Sequence, residues 1–115
     1  MGATNATIVL VGARTGKTYS VDAYLPDAVN TLWTFNSSGA AVATSNSTYR
    51  AVEDMFVIDV SMGTAPTATG CVFTINGNIV AGGSLRYVNQ MAALPNRVRL
   101  AIPVKSGDFL GATQY

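Results

Sequence analysis

Residues 71–82, C-V-F-T-I-N-G-N-I-V-A-G, constrain this chain more than any other stretch. Two apolar runs, each too short for a helix, flank Asn76-Gly77. A two-residue hairpin loop of type I′ needs φ > 0 at both central positions, and Asn-Gly takes that conformation most readily. The stretch therefore predicts a β-hairpin, with Gly82-Gly83 breaking or bulging its second strand. The same pattern recurs at 97–115. There Val98, Leu100 and Ile102 alternate with Arg97, Arg99 and Ala101, a period of two. Lys105-Ser106-Gly107-Asp108 then makes a tight turn, with Gly107 free to take φ > 0. A short closing strand follows, so 97–115 reads as a closing pair.

Between these landmarks the chain is punctuated in the same way. Residues 7–11 and 18–24 read as a hairpin around the turn 14–17, interrupted at Leu25-Pro26-Asp27 because proline cannot donate to a ladder. Residues 31–35, carrying the one tryptophan, and 40–43 read as a second hairpin around Asn36-Ser37-Ser38-Gly39. Residues 48–52 are a short strand. Residues 55–62 are the most regular one, with Phe56, Ile58 and Val60 alternating with Val57, Asp59 and Ser61. Residues 85–90 form another. The one helical window, 88–94, is stopped by Pro95. Eight to ten short antiparallel strands in 115 residues predict a single all-β domain, a sandwich or a barrel. Residues 1–6 read as a polar flexible lead and 7–115 as the β-sandwich domain. No secretory leader is expected from a start that is polar and carries no basic residue.

Composition narrows the function classes. Charged residues make up 11% of the chain, against about 25% in ordinary soluble domains. A surface so poor in charge suits one that neighbours cover, which points to self-association or docking. The net charge is +1, with no clustered basic stripe of the kind nucleic acid demands. The longest apolar run, 8–11, is far too short to span a bilayer. There is no histidine and one cysteine, Cys71, in a strand pattern that makes it a small core residue. No zinc site, cofactor or small-molecule substrate is expected, and without histidine the commonest general base is missing. The chain is not expected to be an enzyme.

Three motifs each admit a sharp reading and a simpler one. Gly12-Ala13-Arg14-Thr15-Gly16-Lys17-Thr18 is one residue short of the phosphate-binding G-x-x-x-x-G-K-[ST], and a strand follows it where that motif needs a helix. It reads as a hairpin turn. Glu53-Asp54 is the one acidic pair and reads as a solvated loop before a buried strand. Its functional alternatives are a calcium ligand or an intersubunit partner for Arg50, Arg97 or Arg99. Trp33 and Phe35, with Tyr19, Tyr24, Tyr49 and Tyr87, are the candidates for an aromatic sugar-binding platform, Trp33 and Tyr49 foremost, against the simpler reading that alternating Trp33 and Phe35 fill the core or a subunit seam. Asp59 and Arg86 lie in apolar strands, and if they point inward they should be paired.

The C-terminal half carries a resemblance. F-V-I-D-V-S-M-G, a Thr/Ala/Pro/Gly loop, C-V-F-T-I-N-G-N-I-V-A-G-G-S-L-R-Y and R-V-R-L-A-I-P-V-K-S-G-D-F-L together resemble small jelly-roll decoration (cement) proteins of tailed bacteriophage capsids. The match covers about residues 55–110. It implies a virion structural protein of jelly-roll type, bound as a dimer or trimer on the lattice of a major capsid protein. Three segments are candidate contacts with neighbours. The first is the lead, Met1, Gly2, Ala3, Thr4 and Asn5. The second is the 63–70 loop at Pro66 and Thr67. The third is the closing segment at Phe109, Leu110 and Tyr115, by strand addition if it forms an edge. The alternatives are a carbohydrate-binding β-sandwich and a major capsid or fibre subunit.

Overall fold

The computed structural model of the chain describes residues 4–36, 47–62, 66, 68–87 and 97–115. Alternation makes the first hairpin. In β1 (Thr4–Gly12), Ala6, Ile8 and Leu10 point inward and are buried, while Asn5, Thr7 and Val9 point out. β2 (Thr18–Leu25) returns antiparallel, burying Val21, Ala23 and Leu25. β1 starts at Thr4, so Thr4, Asn5 and the buried Ala6 belong to the sheet rather than to a flexible lead. The phosphate-loop lookalike is the turn of this hairpin, with Gly16 at φ 69° and the Gly12 N–H donating to Lys17 O at 2.8 Å.

The remaining strands are β3 (Thr34–Asn36), β4 (Tyr49–Arg50), β5 (Met55–Met62), β6 (Gly70–Ile75), β7 (Asn78–Arg86), β8 (Arg97–Val104) and β9 (Phe109–Gln114). They form two antiparallel sheets, ordered β3-β2-β1-β5-β8 and β4-β9-β6-β7. The fold is an all-β sandwich. Three pairings are nested: β6 with β7, β5 with β8, and β4 with β9. A long hairpin wrapped across two sheets gives this nesting, which is the jelly-roll pattern. Between β3 and β5, one further returning strand would close such a wrap. Here the β1–β2 hairpin fills that place.

The Asn76-Gly77 hairpin is present as predicted, with φ of 52° and 84° and Ile75 opposite Asn78. The register slips between Val72/Ser84 and Thr74/Ile79, which places the bulge at the predicted Gly82-Gly83 side. Four expectations change. The strands at 97–115 are not a pair: β8 lies at the margin of the five-stranded sheet and β9 inside the four-stranded one. Their turn is a corner, held by the Gly107 N–H donating to Ala51 O (2.8 Å) and the Ala51 N–H to Asp108 O (2.9 Å). In β5 the alternation breaks at a bulge, where Leu10 faces Val57 and Val9 faces Asp59. One extra residue reverses the parity. Met55, Val57, Val60 and Met62 are therefore buried, while Phe56 points out and Ile58 is half-buried. The predicted strand at 85–90 is, through Arg86, the end of β7, and 48–52 contracts to β4. The return strand at 40–43 and the helical window at 88–94 lie outside the described residues.

Between the sheets lie Ile8, Leu10, Leu25, Met55, Leu85 and Leu110, with Trp33, Phe73 and Tyr87 the largest fully buried side chains beside them. The Trp33 ring meets Phe73 edge-on, 5.3 Å between centroids at 76°. Gln114 is buried as well and is fully engaged: its Nε2 donates to Pro26 O (2.7 Å) and Thr31 Oγ1 (2.9 Å). Residues 30–33 are thereby laid along β9, with Trp33 N–H donating to Ala112 O and Gln114 N–H to Thr31 O.

Candidate interaction surface

The sequence candidates scatter when placed on the fold. Trp33 is 0% exposed and Tyr49 8%, and neither offers a ring face to a sugar. Both are core residues: Trp33, just ahead of β3, is held by its N–H on Ala112 O of β9 and by its ring on Phe73, and Tyr49 on β4 turns its side chain inward. Leu110 is also fully buried, its neighbours Phe109 (45%) and Tyr115 (37%) are exposed, and Pro66 is buried. Met1, Gly2, Ala3 and Thr67 lie outside the described residues. Strand addition at β9 is closed: β4 and residues 30–33 lie on one side of it and β6 on the other.

Three turns meet at one end of the sandwich: 13–17, 51–54 and 105–108. Glu53 joins the first two. Its carboxylate accepts from the Thr15 hydroxyl at 2.9 and 3.1 Å and from the Tyr19 hydroxyl. The Tyr19 bond, and after it the Thr15 bond, hold this carboxyl below the usual glutamate range. The Tyr19 hydroxyl is pushed up in return, chiefly by the same bond. Asp54 joins the second and third turns, its Oδ1 accepting from the Ser106 N–H at 2.9 Å. The two acidic side chains thus serve different turns. Both Glu53 oxygens are directed to protein donors, and so is Asp54 Oδ1. Among the described residues no group of three His, Cys, Asp or Glu side chains is placed to hold a metal. Tyr19 and Glu53 are the pair that sequence reasoning missed. They lie 34 residues apart, and no spacing rule connects them.

A shallow groove runs across this end past Arg14, Val52, Asp54 and Ser106, and continues by Arg50 and Gly107. Beside it stands an apolar group on the outer side of the four-stranded sheet. Val52 is 64% exposed, and the Arg50 guanidinium lies 5.9 Å from the centroid of the Phe109 ring. The hairpin tip is pinned alongside: Phe109 N–H donates to Asn76 Oδ1 (2.9 Å) and Asn76 N–H to Phe109 O (2.9 Å). Ile79, 74% exposed, follows the tip. Exposed apolar residues with a guanidinium among them make a surface suited to protein contact.

No protein-family model, curated protein or solved structure matches this chain.

Proposed function

We propose that this protein is a virion structural protein, a decoration protein that associates with itself and reinforces a capsid lattice by repeated protein contacts. The observation that carries the reading is the nested wrap of β4–β9, β5–β8 and β6–β7, the architecture of the proteins that residues 55–110 resemble. Two further features support it. The charged fraction of 11% leaves little to keep an uncovered surface dispersed. The Val52, Phe109 and Ile79 group sits at one end, where a shell could cover it without touching the core. Each contact is modest, and many copies on a lattice add through avidity. Localisation at the virion surface and partnership with a major capsid protein belong to the same proposal. The experiment is density-gradient fractionation of particles from the source culture, with the chain followed by mass spectrometry. It should travel with assembled particles in stoichiometric amount. A chain confined to the free-protein fractions removes the reading.

A further inference from the structure

The outward face of the five-stranded sheet is arranged in level rows by its register. One row is Thr18, Val11, Phe56 and Pro103, on β2, β1, β5 and β8. The next is Ser20, Val9, Asp59 and Arg99. The third begins Asp22, Thr7, Ser61. Phe56 is 40% exposed, Val9 and Val11 are half-buried, and Asp59 is buried. Among the described side chains, two exposed charges flank this group on opposite sides: Asp22 on β2, accepting from the Thr7 hydroxyl, and Arg99 on β8. The face thus carries an apolar group, Val9, Val11 and Phe56, on its two central strands, with an acidic residue to one side and a basic one to the other.

We infer that this face is a two-fold interface between two copies of the chain; the inference rests on the reading that the chain associates with itself. Such an interface is self-complementary, with the same patch on both copies. A two-fold axis parallel to the strands, between β1 and β5, lays β5 of one copy on β1 of the other and β8 on β2. Rows stay level, so Phe56 meets Val11 of the second copy, and Arg99 meets the Ser20–Asp22 margin. An axis across the strands sets β8 on β8 and brings the Arg99 guanidiniums together, which is costly. The charges therefore select the first arrangement. Aligned sheets pack face to face in this way, crossed by about 30°. The four long strands β2, β1, β5 and β8, about 4.8 Å apart and about eight residues long, give about 500 Å² per copy. Both copies together bury about 1,000 Å², about the least that a specific dimer needs. Edge-to-edge growth at β8 is disfavoured by Pro103, which has no N–H to donate.

The test is light scattering over a dilution series for the wild type, Arg99→Asp, Asp22→Arg and the double reversal, with circular dichroism to check folding. The wild type should show a dimer at about 100 μM that dissociates on dilution, a weak dimer in keeping with the small area. Each single reversal should weaken it at least about tenfold, and the double reversal should restore most of that. Phe56→Lys, at an exposed position, should also give a monomer and serves if a reversal misfolds. A wild-type oligomer untouched by any of these variants overturns this face and leaves self-association standing. A trimer, or single losses that the double does not repair, also overturns the face. A monomer at every concentration overturns both the face and self-association.

Discussion

The Tyr87 hydroxyl donates to Gln114 Oε1 at 2.7 Å and accepts from Trp33 Nε1 at 3.1 Å, and none of the three side chains is exposed. This is a chain of polar groups in an otherwise apolar core, with the Gln114 amide nitrogen also engaged. Each member is satisfied by the next, so burial carries little penalty while the chain is whole. It also fixes where residues 26–33 cross the end of β9. Packing alone would leave that segment less defined.

Removing the central hydroxyl should therefore cost more than one hydrogen bond. Tyr87→Phe keeps the ring but leaves the Trp33 N–H and the Gln114 carbonyl buried without a partner. Each orphaned group costs roughly 1–3 kcal/mol. We expect a loss of about 2–4 kcal/mol in urea unfolding, with an unchanged m-value. A loss under about 0.5 kcal/mol would show that water replaces the hydroxyl and that the chain is not closed.

Gly70 is a place where no side chain fits. A Cβ there would collide with the Leu85 carbonyl oxygen on the paired strand and reach Tyr115 Oη at 2.9 Å. The Leu85 oxygen is backbone, so the strands themselves would have to part. Gly70→Ala should destabilise by about 3 kcal/mol or more, as overpacking does at its upper range. Gly77→Ala meets no atom within 4 Å and is strained only by its φ of 84°, so it should lose about 1 kcal/mol. Thermal melts of the two variants check the order, and equal losses would contradict it.

Much of this fold was legible because local rules and tertiary structure agree. Asn76-Gly77 fixed its own turn, and Ile8, Leu10, Val21 and Ala23 gave their faces by alternation. Alternation assigns faces but not sheets, which is why Val104 and Phe109 read as one hairpin although a corner separates them. Nor does it register an inserted residue: Ile58 shifts the parity of β5 without any local signature. The core reading of Trp33 and Phe35 holds, but it rested on aromatic size alone, since a tryptophan just ahead of a three-residue strand looks the same in sequence whether it faces sugar or Phe73. At the end groove the governing contacts are long-range. Thr15 and Tyr19 reach Glu53 across 38 and 34 residues.

Cys71 is fully buried, and burial pushes its thiol up to about 12. The thiolate is the reactive form, so the native protein should resist alkylation at neutral pH. Iodoacetamide should modify Cys71 only as fast as the domain opens, and promptly in denaturing urea. Fast modification of the folded protein would mean that β6 opens locally without global unfolding.

The Glu53 clamp gives stability a pH dependence at both ends of the scale. Glu53 titrates below its unfolded value because the Tyr19 and Thr15 hydroxyls favour the carboxylate. A lowered folded-state value stabilises above the unfolded one, about 4.3, and that contribution vanishes as pH falls through the folded value. Tyr19 moves the other way, above 10.0, mainly through its bond to Glu53. Its contribution is present below that value and is lost as pH rises through the raised one. Glu53→Gln removes the charge behind both effects while retaining an acceptor. The urea midpoints of wild type and variant should thus differ most between about pH 5 and pH 9, and converge towards acid and towards alkali. Midpoint curves that run parallel from acid to alkali would mean that the bond breaks in solution and that the turns at 13–17 and 51–54 are held by backbone contacts such as Ala13 N–H to Asp54 O, 2.7 Å, alone.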